Sequence, residues 1–197
     1  MSVSSSERVK LIGSTTSPYV RRTRLFFQDY DFEFVSLDIF APEDREVLTK
    51  NNPALKVPAI VDGDLCVYDS RVIYRYLTEK FNLPALTWAQ ENLLTLIDAA
   101  NDSLVTLLLS SRSNIDVNED KLFFNLQHER VAKILSVLDQ EVEKGQFAQW
   151  HYPTVCLFCL LDWAKFRELC DLSPYEHLER FFQQFLSHKG VAETDPR

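Results

Sequence analysis

Short apolar runs alternate with helical spacings over the first 80 residues. Val9–Ile12 is a β-rich run, and Pro18 to about Asp29 has helical spacing with Val20, Leu25 and Phe26 apolar. Phe32–Leu37 reads as a second strand after the acidic turn Asp29–Asp31. Pro42–Lys50 reads as a short polar helix opened by proline and acids. Val57–Val61 and Leu65–Tyr68 are strand-like runs separated by Asp62-Gly63-Asp64, an Asp-Gly turn of hairpin type. From Ser70, Val72, Ile73, Tyr76 and Leu77 recur at i, i+3, i+4. The predicted order is β-α-β-α-β-β-α.

After Phe81-Asn82-Leu83-Pro84 the pattern becomes helical throughout. Four helices are predicted, over Trp88–Leu109, Glu119–Glu143, Thr154–Leu169 and Pro174–Leu186. A domain boundary falls near 81–87, giving an α/β domain over 1–80, a linker, and an all-α domain over 88–197.

Composition narrows the class. A 46% apolar fraction with 14 Phe, 7 Tyr and 3 Trp supplies a substantial core. A net charge of −8 disfavours non-specific nucleic-acid binding, which needs a basic face. The opening MSVSSSERVK lacks an apolar signal segment, and no apolar run approaches the ~18 residues of a membrane span. Four cysteines (Cys66, Cys156, Cys159, Cys170) do not form a disulfide framework. The expectation is a soluble cytoplasmic protein with neither nucleic-acid nor membrane partners.

Candidate chemistry begins at GSTTSPYVRRTR, residues 13–24. A phosphate cradle is excluded by its single glycine, Gly13. No Cys-x-x-Cys lies in the turn, which excludes a thioredoxin-type dithiol there. Ser17 before Pro18 fits a helix cap, and Arg21, Arg22 and Arg24 are assigned to solvated or partner-facing surface. Cys156 and Cys159 share a helix face within an apolar stretch and read as buried structural thiols, with no metal site implied. His128, His177 and His188 are assigned to solvent, and Trp88, Trp150 and Trp163 to packing, with ligand contact as the alternative for Trp88 near the domain junction.

Three motifs, Ser17-Pro18-Tyr19-Val20-Arg21, Asn52-Pro53-Ala54-Leu55-Lys56-Val57-Pro58-Ala59 and Tyr68-Asp69-Ser70-Arg71, resemble the glutathione transferase superfamily, in particular bacterial serine- or cysteine-type members. The chain end, Ser187-His188-Lys189-Gly190-Val191 with Thr194-Asp195-Pro196, matches more loosely. The resemblance spans essentially the whole chain. It implies a thioredoxin-like N-terminal domain (βαβαββα), an all-α C-terminal domain, and a homodimer.

It also implies glutathione as co-substrate. The Val57–Pro58 bond would be cis, with Val57 offering its N–H and C=O to the peptide ligand by strand addition. Asp69 and Ser70, besides capping a helix, would hold the α-amino acid head group, and Lys56 the opposite carboxylate. Ser17 falls where such enzymes contact the thiol, a group with pKa about 8.5 when free. A hydroxyl hydrogen bond there favours the thiolate. Thr15 and Thr16 lie in the same turn and are alternatives, as is a purely capping Ser17.

Two departures stand out. A Ser/Thr cap followed three residues later by Asp is usual in the family, but Thr154 is followed by Leu157, which removes half of a capping box worth about 0.5–2 kcal/mol. Leu55 stands where glycine is frequent. The chain is therefore read as a divergent transferase acting on small electrophiles. A non-catalytic regulatory module of the stringent-starvation-protein type is the alternative.

Overall fold

A computed structural model describes residues 8–197; the first seven residues of the segment read above as lacking a signal lie outside the described residues. The elements run β1 (Val9–Gly13), α1 (Pro18–Phe27), β2 (Phe32–Ser36), α2 (Pro42–Asn51), β3 (Ala59–Asp62), β4 (Leu65–Tyr68) and α3 (Ser70–Lys80). Then come α4 (Trp88–Arg112), α5 (Leu122–Glu143), α6 (Tyr152–Phe166) and α7 (Glu176–Phe185). The sequence order βαβαββα followed by helices is thus the fold, a thioredoxin-like α/β unit and a helical unit.

The sheet order is β2-β1-β3-β4, with β1 and β2 parallel and the other pairs antiparallel. Alternating side chains of β1 reach opposite faces of the sheet. Val9 and Leu11 join Phe27 of α1, Ile73 and Leu77 of α3, Ile60 and Val67 in one core cluster. Ile12 turns the other way, to Leu37 and Leu48 of α2. Gly63, at φ 58°, makes the tight β3–β4 turn, a conformation that favours glycine. Strand β3 starts at Ala59 rather than Val57, since Val57 and Pro58 belong to the preceding turn.

By internal contacts one unit comprises the residues up to Ala85 together with His188–Arg197, and the other is Leu86–Ser187. The sequence pattern places residues 88–197 in the helical domain. Residues 188–197 instead group with the α/β unit, and the reason is polar. Arg21 of α1 donates from Nε to Thr194 Oγ1 (3.2 Å) and from Nη2 to the Val191 carbonyl (3.0 Å). Arg24 donates to the Glu193 carbonyl at 3.3 Å, and Lys189 pairs with Asp29 at 2.6 Å. Gly190 has φ 82°, and a Cβ there would collide with Gln28.

In the helical unit α4 packs on α5 and α6, and α7 closes on α5 and α6. Helix α6 is buried at every residue from Tyr152 to Ala164, Cys156 and Cys159 included. The 25-residue α4 reaches a mean hydropathy of 1.4 over 18 residues, long and apolar enough by composition to cross a membrane; it buries Leu93, Leu94, Ile97 and Leu104 inside this bundle. Two assignments change here. Trp88 is 87% exposed and packs little, whereas Trp150 rests against Phe158 and Phe185. The α6 cap is His151, not Thr154: His151 Nδ1 accepts from the Thr154 N–H at 3.3 Å, while the Thr154 hydroxyl donates to the Gln149 carbonyl at 2.7 Å. The missing aspartate at Leu157 is therefore compensated one turn upstream.

Candidate functional site

The strand register gathers three loops at one end of the sheet. Ile12 lies opposite Ala59, and Ala59 opposite Tyr68. The turn after β1, the residues before β3 and the residues after β4 therefore share that edge. They contain Ser17, then Lys56, Val57 and Pro58, then Asp69 and Ser70. All six residues singled out in the sequence fall on these three loops.

Gly13 opens the first loop because a Cβ there would collide with the Val20 side chain, so only glycine lets the turn close on α1. Ser17 is the N-cap of α1, with φ −86° and ψ 127° and Pro18 at the first helical position. Its Oγ accepts from the Val20 N–H at a long 3.4 Å, and its carbonyl accepts from Arg21 N–H at 3.0 Å. Capping uses a lone pair of the hydroxyl and leaves its hydrogen available. Thr16 pairs with Ser14 through their hydroxyls at 3.2 Å, and Thr15 is exposed.

The second loop is built around Asn52, which is buried. Its amide donates to the Lys56 carbonyl at 2.7 Å and its Oδ1 accepts from Ala54 N–H at 2.9 Å. Leu55 sits at φ 55°, the left-handed region where glycine is frequent. The Val57–Pro58 peptide bond is cis. Pro58 is buried and Val57 half-buried, and among the described residues the Val57 backbone groups have no hydrogen-bond partner. Lys56 is exposed.

The third loop turns sharply at Asp69 (φ 71°), the N-cap of α3. Its carboxylate accepts from Arg71 N–H at 2.8 Å and remains exposed. Ser70, 1% exposed, accepts from Arg22 Nη2 at 2.5 Å. The amino ends of α1 and α3 thus both face this edge, and their first N–H groups and dipoles favour an anion.

The arginine run is corrected by these contacts. Arg21 and Arg22 are 3% and 1% exposed, not solvated. Arg21 is held by residues 191–194 and Arg22 by Ser70, with its guanidinium 4.9 Å from the Tyr19 ring centre. Only Arg24 is half-buried, its guanidinium lying 4.5 Å over Phe34. Sequence reasoning also passed over Asn52 as an organiser; its place four residues before Lys56, ahead of Pro53, is the pattern of a side chain closing a turn.

Within the helical unit a separate cavity of about 270 Å³ is lined by Leu104, Leu107, Val131, Leu135, Cys170 and Tyr175 among others. Burial, with Asp171 beside it, pushes the Cys170 thiol up to about 11. Among the described residues no group of three His, Cys, Asp or Glu side chains is arranged to hold a metal ion.

A thioredoxin-like unit with a cis-Pro loop, followed by an all-helical unit, defines a two-part transferase-type fold. Residues 11–85 match the family described as glutathione S-transferase, N-terminal domain. The α/β unit therefore carries a glutathione S-transferase N-terminal domain. The chain is 26% identical to the GST-like protein YibF of Escherichia coli, over 95% of this chain and 98% of that one. It is 36% identical to glutathione S-transferase U13 of Arabidopsis thaliana over 77 residues, 38% of this chain and 34% of the relative. Among solved structures it is similar to a Methylobacillus flagellatus glutathione S-transferase with GSH bound, with TM-score 0.84, 24% identity, and coverage of 96% and 100% of the two chains. A Pseudomonas fluorescens family member with bound glutathione aligns with TM-score 0.79 at 20% identity, over 96% of this chain and 99% of the other.

Proposed function

We propose that this protein is a glutathione transferase that delivers the glutathione thiolate to a small electrophile. The observation that supports the reading is the Val57 backbone, whose N–H and C=O lack partners among the described residues, at an edge flanked by two helix amino ends. An extended cysteinyl peptide supplies the complementary acceptor and donor. Asp69 pairs with the γ-glutamyl ammonium, the α3 amino end with Ser70 takes the adjacent carboxylate, and Lys56 takes the glycyl carboxylate.

Ser17 donates its hydroxyl hydrogen to the sulfur. A hydrogen bond to a charged acceptor is worth about 1.5–3 kcal/mol, enough to lower the thiol pKa by about one to two units from 8.5. The thiol proton passes to solvent, the thiolate forms a carbon–sulfur bond, and the leaving group departs with its electron pair. Ser17 is not itself a nucleophile. The protein acts as a homodimer, which sedimentation checks.

Calorimetric titration with glutathione, followed by conjugation to a chloronitrobenzene with release of chloride, tests the reading. Binding with turnover supports it, and no binding at millimolar glutathione refutes it. Binding without turnover assigns the fold to a non-catalytic module instead. Ser17→Ala is expected to leave glutathione affinity nearly unchanged and lower kcat about ten- to hundredfold below the thiol pKa. Unchanged kcat would reduce Ser17 to a cap.

A further inference from the structure

We propose that Arg22 is a positioning residue for the ligand's α-carboxylate, acting through Ser70. The inference rests on the glutathione reading above and assigns a role to a buried charge that reading does not use.

Arg22 lies in the middle of α1 and Ser70 at the first position of α3, 48 positions later. Both are 1% exposed, and the guanidinium Nη2 lies 2.5 Å from the serine oxygen. Arginine has five N–H donors and no acceptor, so the polarity of this contact is fixed: Arg22 donates and Ser70 accepts. Serine has one hydrogen and two lone pairs. With a lone pair committed to Arg22, whatever the Ser70 hydroxyl hydrogen reaches must be an acceptor. The contact engages one lone pair of the hydroxyl, which biases its hydrogen away from the guanidinium at a helix amino end where the backbone N–H groups are donors too. All donors at that position then suit one kind of group, a carboxylate.

The bond also fixes geometry. It ties the α3 amino end to α1, the helix capped by Ser17. A charge-assisted bond of this length between two buried groups polarises the serine O–H, strengthening its donation to an anion. Lysine cannot reproduce this, because its ammonium is a point charge on a flexible stem rather than a planar fork.

The test is a coupling measurement between protein and ligand. Glutathione is compared with γ-aminobutyryl-cysteinyl-glycine, which keeps the ammonium and thiol but lacks the α-carboxylate. Wild-type protein should bind glutathione the more tightly. Arg22→Met should weaken glutathione about tenfold or more while leaving the analogue nearly unchanged, shrinking the ratio between the two. Ser70→Ala should shrink that ratio similarly, and the double variant should shrink it no further than Ser70→Ala alone. Should Arg22→Met fail to fold by circular dichroism, Arg22→Lys is measured in the same comparison, where a reduced ratio supports the assignment. Equal weakening of both peptides by the Arg22 variant would make Arg22 a packing residue and overturn the inference while the glutathione reading stands. A wild-type protein that binds neither peptide overturns the functional reading first and this one with it.

Discussion

Arg21→Met and Thr194→Val, made singly and together, measure what holds residues 188–197 to α1. Arg21 is buried, and its Nε and Nη2 reach Thr194 Oγ1 at 3.2 Å and the Val191 carbonyl at 3.0 Å. Thr194, also buried, donates in turn to the Gly190 carbonyl at 2.7 Å. A hydrogen bond to a charged group contributes about 1.5–3 kcal/mol, and burial spares it from screening by salt. Thr194→Val keeps the shape but removes one acceptor and one donor, for an expected loss of about 1–3 kcal/mol. Arg21→Met strands two acceptors and should cost about 2–4 kcal/mol. The double variant should lose less than the sum by about 1–2 kcal/mol, the coupling expected of residues in direct contact.

The assay must look at the right unit. All three tryptophans, Trp88, Trp150 and Trp163, lie in the helical unit, so their fluorescence is a poor reporter of this clamp. Urea unfolding followed by far-UV circular dichroism gives the global figure, and hydrogen exchange at α1 amides gives the local one. At this chain size each kcal/mol moves Tm by about 2–4 °C. Losses that add to within about 0.3–0.5 kcal/mol would refute the reasoning, because they would mean that the two side chains contribute independently.

Two further outcomes follow from ionisable groups. Burial holds the His151 imidazole below its ordinary range, and its Nδ1 caps α6 only when unprotonated. The folded pKa lies below the unfolded value of about 6.5, so this contribution is complete above about pH 6.5 and declines as pH falls through the folded pKa. Urea midpoints followed by tryptophan fluorescence should show that decline, and His151→Asn, which keeps a capping acceptor, should flatten it. At the other end of the sheet, Tyr76 donates to Asp62 at 2.5 Å, Lys80 pairs with the same carboxylate, and the Tyr76 phenol is pushed up to about 12, chiefly by the Asp62 hydrogen bond. A spectrophotometric titration of Asp62→Asn should show one tyrosine returning toward about 10, and an unchanged titration would exclude the bond.

The α/β grammar was legible because its signals are local. The Asp-Gly hairpin, Pro18 behind Ser17, and the i, i+3, i+4 spacing after Ser70 each specify structure within a few residues. The three site loops were marked by motifs that resemble a family, and their common edge comes from the sheet order and antiparallel register of β1, β3 and β4, which are not local signals. What was misread depends on distant chain. Arg21 and Arg22 look like a solvated face because polarity in a helix ordinarily marks exposure, but here one is covered by residues about 170 positions later and the other by Ser70. A histidine cap was hidden for a different reason: cap rules look for a hydroxyl or carboxylate, and Thr154 drew the eye one turn too far.

The return of residues 188–197 makes the helical unit a guest and the α/β unit its host. The Arg21–Thr194 contact spans 173 positions, enclosing all of Leu86–Ser187 in one loop. Loop closure grows only slowly with loop length, so such an insertion is thermodynamically tolerable. It changes how the protein can be divided. A fragment ending at Ala85 lacks part of its own host and leaves the Arg21 guanidinium without Thr194 and Val191. Exchanging the helical unit with that of a relative therefore needs two junctions, near Ala85–Leu86 and Ser187–His188, rather than one.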